Sequence, residues 1–404
     1  MKPHLFCVGG EDHHLRIPFL IALRQRGFRV TAAGTGDPSP FSRAEIEYRQ
    51  YQFDRFDAHT FPRSELRCLA RLVRDVQPDL IQAFDTKPNL LVPFAVRHAA
   101  PILRTINGMG WVFSSTSLYT LALRPIYCAL QRVAARWTAG TVFQNRDDKK
   151  FFERYRLLGH SPGYLIGGSG IEIDAFPTAA PSDAAGRERR RASDAGVVIT
   201  VSRLTKQKGI LTLLRAADIV HTALPEVRFI LVGPRESEGP FAVPQEEIER
   251  RRPYVTALGV RTDVPALLRQ ADVFAFPSEY REGIPRVLLE AGLAGLPIVT
   301  TRMPGCADVV TDGWNGYLVP PRDPQRLARR ILDLLHEQTT AAVMGQRSIS
   351  LVRRKFSLDT IVGQYARIYE RVVKCHIAGD RTGSEGELQL TSSSHSTIDT
   401  GGMS

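Results

Sequence analysis

Short apolar runs alternate along the chain with longer stretches whose apolar residues recur every three or four positions, and the whole series occurs twice. Residues 5–10 (LFCVGG) are an apolar run ending in two glycines, 15–26 carry helical spacing, and 28–33 are a second run. Apolar runs of this length bounded by turn residues read as strands buried on both faces, and the order strand, helix, strand predicts a parallel sheet. The pattern continues with a helix over 66–76, a strand over 80–83, a helix over 90–98, strands over 102–106 and 141–143, and a charged helix over 147–156. At 197 the series restarts: strand 197–201, helix 211–220, strand 228–232, helix 264–268, strand 271–276 and strand 297–300. Closing helices are expected over 326–335 and 358–373. The predicted fold class is α/β, with two doubly wound units.

Residues 177–196 (PTAAPSDAAGRERRRASDAG) lack apolar periodicity and read as a linker, and 378–404, rich in Ser, Thr and Gly, as a disordered tail. The expected domains are 1–176 and 197–377, and 404 residues are enough for two cores. No apolar run reaches the ~18 residues of a membrane span. The first apolar segment meets Glu11 and Asp12 too soon for a signal peptide, so a cytoplasmic location is expected. Cys7, Cys68, Cys128, Cys306 and Cys375 are scattered, suggesting neither a disulfide framework nor a zinc site. The net charge of +11 invites nucleic acid or an anionic membrane surface, but no nucleic-acid-binding motif accompanies it, and nucleic acid is not an expected partner.

Ligands of open α/β sheets bind beyond the carboxyl ends of the strands. After strand 271–276 comes Glu282-Gly283-Ile284-Pro285-Arg286-Val287-Leu288-Leu289-Glu290, where a helix starting near Gly283 would attract phosphate. Glu290 then falls about two turns into the helix that holds Glu282, so that both carboxylates face one cleft. One can hold a ribose diol and the other a sugar hydroxyl. Strand 197–201 runs into Ser202-Arg203-Leu204-Thr205-Lys206-Gln207-Lys208-Gly209, aiming Arg203 and Lys208 at the same cleft. A guanidinium fork beside an ammonium suits a diphosphate. In the first half, Gly9-Gly10 and Asn107-Gly108-Met109-Gly110-Trp111 stand at strand ends. Segment 111–137 mixes Trp111, Phe113, Leu118 and Tyr119 with Arg124, Arg132 and Arg136. It reads either as a face for an anionic bilayer or as a helix packed on its own domain.

Ser202-Arg203-Leu204 through Lys208-Gly209, followed by Glu282-Gly283 and Glu290, resembles the donor site of the retaining nucleotide-sugar glycosyltransferases of the family 4 type, which have the GT-B fold. The resemblance runs from Gly9-Gly10 to the late helices and includes Pro304-Gly305-Cys306 and Asp312-Gly313-Trp314-Asn315-Gly316 with Val319-Pro320. More narrowly, Asn107-Gly108-Met109-Gly110, Phe143-Gln144-Asn145, Gly168-Ser169-Gly170 and the stretch from Glu282 to Glu290 look like the bacterial members that extend polyprenyl-diphosphate-linked saccharides.

The resemblance implies two Rossmann-like domains facing across a cleft, the first binding the acceptor, and a C-terminal helix that can pack back on it. It implies a UDP-sugar or other nucleotide sugar as donor, with Arg203 and Lys208 on the diphosphate, Gly10 on the donor side and Glu290 on the ribose hydroxyls. Glu282, with the backbone at Gly283 and Ile284, would orient the sugar. Glu282 and Asn107 are the catalytic candidates, and Trp111, Arg124 and Arg132 would face acceptor or membrane. Two positions depart from the family: Asn107 stands where His is common, and Pro285, lacking an N–H, replaces a frequent glycine. The expected activity is retaining transfer of a hexosyl or N-acetylhexosaminyl group to a polyprenyl-diphosphate-linked saccharide, by an enzyme peripheral to the inner face of the cytoplasmic membrane. No cofactor is expected, and no metal, because no strand-end loop carries an aspartate pair. A soluble acceptor, or a silent protein that only binds nucleotide sugars, remain alternatives.

Overall fold

The computed structural model describes residues 2–51, 63–115, 117–174, 176 and 196–378, apart from the side chains of Glu11 and Trp111. The expected linker, except Gly196, and the expected tail, except Ala378, lie outside the described residues.

Seven strands, β1 (His4–Val8), β2 (Arg29–Gly34), β3 (Glu47–Gln50), β4 (Leu80–Phe84), β5 (Ile102–Ile106), β6 (Gly140–Phe143) and β7 (Gly163–Leu165), form one parallel sheet in the order 3-2-1-4-5-6-7. Six more, β8 (Val197–Val201), β9 (Arg228–Val232), β10 (Val255–Ala257), β11 (Val273–Phe276), β12 (Ile298–Thr301) and β13 (Gly316–Val319), form a second in the order 10-9-8-11-12-13. Each sheet reverses direction beside its first strand, β1 or β8, the position where doubly wound sheets open a ligand crevice.

The two-faced burial explains the apolar runs. In β1, Leu5 and Cys7 enter a core with the helix Ile17–Gln25, while Phe6 and Val8 enter another with the helices Arg63–Val76 and Thr86–Val96. The second sheet is likewise covered on both sides. The last helix, Leu358–Ile377, packs back on the first domain as its resemblance implied. It buries Ile361, Tyr365, Tyr369 and Val373 among Leu5, Leu20 and Phe28, and the Tyr369 hydroxyl donates to Gln82 Oε1 at 3.1 Å.

Several expected elements move. The helix expected from 15 starts at Ile17, where Pro18 suits a first turn, and that expected from 90 starts at Thr86. Strands β3, β7, β10 and β13 and the helix Gln338–Lys355 were not expected at all. β3 (EYRQ) has no apolar alternation, and the helix contains Gly345, placed there because a Cβ would lie 2.1 Å from the Gly295 carbonyl oxygen. The correction that matters for function lies after β11. The helix begins at Arg286 with Pro285 as its N-cap, so Glu282 sits in the preceding loop and not on the helix of Glu290.

Replacing Tyr369 by Ala should destabilise the protein by about 3–5 kcal/mol, as truncation of a buried aromatic does, measured by chemical denaturation. An unchanged midpoint would mean that the last helix does not stabilise the first domain.

Candidate active site

The loop after β8 folds into a tight turn at Lys206–Lys208 and enters the helix Ile210–Ala223 through Gly209, whose φ is +70°. A Cβ there would lie 1.9 Å from the Pro277 carbonyl oxygen, so only glycine lets the loops after β8 and β11 meet. Their meeting joins Lys208 to Glu282: the ammonium bonds Glu282 Oε1, and Ser278 Oγ donates to the same oxygen at 2.9 Å. Both side chains are largely buried, at 13% and 14% exposure. Lys208 Nζ also lies 5.5 Å from the ring centre of Phe276 and 5.8 Å from that of Tyr280.

The other expected donor residues stand further out. Arg203 bonds Glu238 at 3.1 Å and is half exposed. Glu290, in the helix Arg286–Leu293, accepts from Arg286 Nε at 3.0 Å, and burial raises its pKa above the usual glutamate value against the pull of Arg286. Lys208 and Glu282 are thus brought together, while Arg203 and Glu290 each hold a local partner.

Facing them, the first domain builds its side on Asp85, a residue the sequence reading missed. Asp85 follows β4 with φ of +68°, a conformation costly for a side-chain-bearing residue by about 1–3 kcal/mol. Its carboxylate takes the Gly10 N–H at 2.9 Å, Arg16 Nη2 at 2.8 Å and Asn107 Nδ2 at 2.7 Å. Burial opposes the charge, but Arg16 and the Gly10 N–H outweigh it and hold the pKa below the usual carboxylate range. Gly10 and Asn107, expected at the ligand, are thereby tied to one carboxylate. Beside them His13, whose pKa burial pushes down to about 3, lines a pocket of about 240 Å³ with His14, Gly36, Asp37, Pro40, Phe41 and Tyr48.

The two sides touch. Gly108, at φ +120°, lies against the backbone at Glu282-Gly283, and a Cβ on Gly283 would lie 2.3 Å from the Asn107 carbonyl oxygen. The Ile284 N–H, expected at the donor, donates to Gln144 Oε1 at 3.2 Å, and Asn145 Nδ2 donates to the Glu282 carbonyl at 2.9 Å. Arg281, also missed, bonds Asp148 Oδ1 at 2.8 Å. No sequence signal marks Asp85 or Arg281 beyond the strand before each, and Asp148 reads only as one of two acids opening a helix.

The arginines expected at acceptor or membrane bond backbone carbonyls. Arg124 reaches Val112 and Ser115 at 3.1 and 2.9 Å, and Arg132 reaches Tyr155 at 2.8 Å. Trp111 lies in the short helix Gly110–Ser114, and its side chain is outside the described residues. Among the described residues no three His, Cys, Asp or Glu side chains cluster as a metal site would need, and no helix is long and apolar enough to cross a membrane.

Two facing parallel sheets with glycine-rich strand-end loops are the frame of the GT-B glycosyltransferases. The crystal structure of Anabaena HepE in complex with UDP is similar, with a TM-score of 0.74 and 22% identity over 92% of this chain and 100% of that one. The chain therefore has the GT-B fold. Residues 195–337 match the family described as glycosyl transferases group 1, and the chain carries a domain of that family. It is 22% identical over 374 residues to the Campylobacter jejuni N,N'-diacetylbacillosaminyl-diphospho-undecaprenol alpha-1,3-N-acetylgalactosaminyltransferase, covering 91% of this chain and 97% of that protein. It is 25% identical over 260 residues to the Escherichia coli UDP-Gal:alpha-D-GlcNAc-diphosphoundecaprenol alpha-1,3-galactosyltransferase, covering 63% and 66%.

Because the folded-state pKa of Glu290 is raised, the folded protein binds a proton there at pH values where the unfolded chain has already lost it. Its ionisation therefore opposes folding, and the stability it contributes in acid is lost as pH rises through the raised pKa. Urea titrations across the acid range should show this fall in the native protein relative to Glu290→Gln. Parallel curves would refute the assignment.

Proposed function

We propose that the protein transfers a sugar, with retention, from a UDP-sugar or related nucleotide sugar to a saccharide carried on a polyprenyl diphosphate at a membrane surface. The observation that carries this reading is the buried Lys208–Glu282–Ser278 cluster at the carboxyl ends of β8 and β11, set against Asp85 and Asn107 of the opposite sheet. The two relatives named above, one matched nearly end to end, act on undecaprenyl-diphosphate saccharides by their names.

In this reading the donor diphosphate lies over the turn at Lys208, shares its ammonium with Glu282 and draws in Arg203, whose exposed guanidinium is free to swing from Glu238. Preorganised cations stabilise the leaving diphosphate as charge develops on it. Glu290 takes the ribose hydroxyls, and Glu282 with the backbone at Gly283 orients the sugar, next to Ile284, whose N–H is held by Gln144; Gly10 and Asn107 complete the donor side from the first domain. No side chain is needed as a dedicated base if the leaving phosphate accepts the acceptor's proton while both reactants share one face. The pocket beside His13, at the ends of β1 and β2, suits a ring of the acceptor saccharide.

The membrane contact is supported by the helix Leu118–Ala134, which turns apolar residues outward. It buries Thr120, Tyr127, Gln131 and Ala134, and it exposes Leu118 (86%), Tyr119, Leu121, Ile126 and Leu130. An apolar face turned to water on a chain of net charge +11 fits an anionic bilayer.

A panel of UDP- and GDP-sugars offered with membranes carrying polyprenyl-diphosphate saccharides should show one donor consumed in the presence of chelator. Lys208→Ala should lower kcat/KM by about 10²–10³-fold, the usual loss for one charge-stabilising donor. Unchanged turnover in that variant, or no donor turned over, would sink the reading.

Binding to vesicles containing phosphatidylglycerol should weaken with salt. It should fall at least about tenfold in Ile126→Asp/Leu130→Asp, since each buried aliphatic side chain is worth about 1.5–3 kcal/mol. Equal binding of the variant would remove this helix from the membrane contact.

A further inference from the structure

We propose that Gln144, Asn145 and Asp148 of the first domain are positioning residues for the transfer step, forming a socket that sets loop 281–284 of the second domain and so couples domain closure to the placement of Glu282. The inference rests on the function proposed above and extends it to residues with no assigned role.

Loop 281–284 has no regular secondary structure, and the first domain engages each of its residues. The Arg281 N–H donates to Ser114 Oγ at 2.8 Å, and its guanidinium to Asp148 Oδ1 at 2.8 Å. The Glu282 carbonyl accepts from Asn145, Gly283 closes on Asn107 and Gln144, and the Ile284 N–H donates to Gln144. From its own domain the loop backbone receives one long bond, Glu282 N–H to the Pro304 carbonyl at 3.3 Å. The grip on the loop that carries Glu282 comes mainly from across the cleft.

The socket is held together by bonds within the first domain. Asn145 caps the helix Arg146–Arg154 by accepting the Asp148 N–H at 2.7 Å, and its amide donates to Asp148 Oδ2 at 2.8 Å. These bonds leave Oδ1 of Asp148 for Arg281. The Asp148 side chain is 0% exposed, so within the closed protein Arg281 is its counter-charge, and removing either partner leaves the other poorly compensated. The pair forms only when the domains meet, which makes it a latch rather than a fixed strut. Arg281 adjoins Glu282 in the chain, so closing the latch moves the carboxylate that holds Lys208. Gln144 extends the same link to the other side, since its amide donates to Asn107 Oδ1 at 3.1 Å and Asn107 in turn holds Asp85.

The test is kinetic and structural on the full chain. Asp148→Asn, which keeps the shape and removes the charge, and Arg281→Gln should each lower kcat about tenfold or more, because small displacements of a reacting geometry are costly. The donor KM should stay within about threefold, as expected when positioning rather than ground-state binding is lost. The double variant should be no worse than the worse single one. Amide hydrogen exchange over 278–285 should quicken in both. Gln144→Ala, which spares the buried pair, should quicken exchange at Ile284 with a smaller loss of kcat, and serves if Asp148→Asn does not fold. Multiplying losses in the double variant, a change confined to donor KM, or unaltered exchange would overturn the socket. If the native protein turns over no nucleotide sugar, the proposed function fails while the exchange measurement still decides the socket.

Discussion

The cleft depends on a close approach of backbones that only glycine permits. Gly108 at φ +120° would bring a Cβ within 2.8 Å of the Gly283 nitrogen, and Gly305 at φ +83° would bring one within 1.8 Å of the Gly283 oxygen. Three strand-end loops, after β5, β11 and β12, therefore meet at Gly283 backbone to backbone, with the Gln144 side chain alongside. A Cβ on Gly108 or Gly283 would push the two sheets apart and move Lys208 and Glu282 relative to Asp85, while one on Gly305 would displace the loop of Glu282 within its own sheet.

The electrostatics follow from that geometry. Each sheet carries an ion pair at its reversal point, Arg16–Asp85 in the first and Lys208–Glu282 in the second, and each acid also accepts a further hydrogen bond from its own domain. Paired in this way, charges can sit in a partly dry cleft without the full cost of desolvation. They also leave the site near neutrality, so an arriving diphosphate must be compensated by cations in reach but not yet buried. Arg203, at 49% exposure, meets that description better than Lys208 does. The two cations are read together in the sequence, yet the structure gives them different circumstances: one is installed, the other waits at the rim.

What could be read from the chain tracks the physics that generates sequence patterns. Strands such as β1, β8 and β11 were legible because burial on both faces demands unbroken apolar runs. The edge strands β3 and β10 were not, since three or four residues on an edge need no such run. Lys208 and Glu282 stood out because each follows a legible strand. Asp85 and Arg281 look like lone surface charges in the sequence and Asp148 like one of two helix-opening acids, because their partners lie 69 and 133 positions away. The misplaced start of the helix after β11 has a local cause: Pro285 is extended, at ψ 114°, and delays the helix to Arg286. Glu282 is thereby freed from the helix axis and turned toward Lys208.

One buried charge links this cleft to the outer surface. Arg104, in the middle of β5, is fully buried and bonds Gln131 and Thr141, and burial lowers its pKa to about 10. The guanidinium draws Gln131 of the helix Leu118–Ala134 inward beside Tyr127, while Leu118, Leu121 and Leu130 of the same helix face out. Asn107 follows β5 directly, and Arg124 of the helix holds the carbonyls of Val112 and Ser115 just beyond. A bilayer on the outer face of the helix, as proposed, would be connected through Arg104 and Arg124 to the segments either side of the loop that meets Gly283, so that docking and the order of the cleft would share a single support.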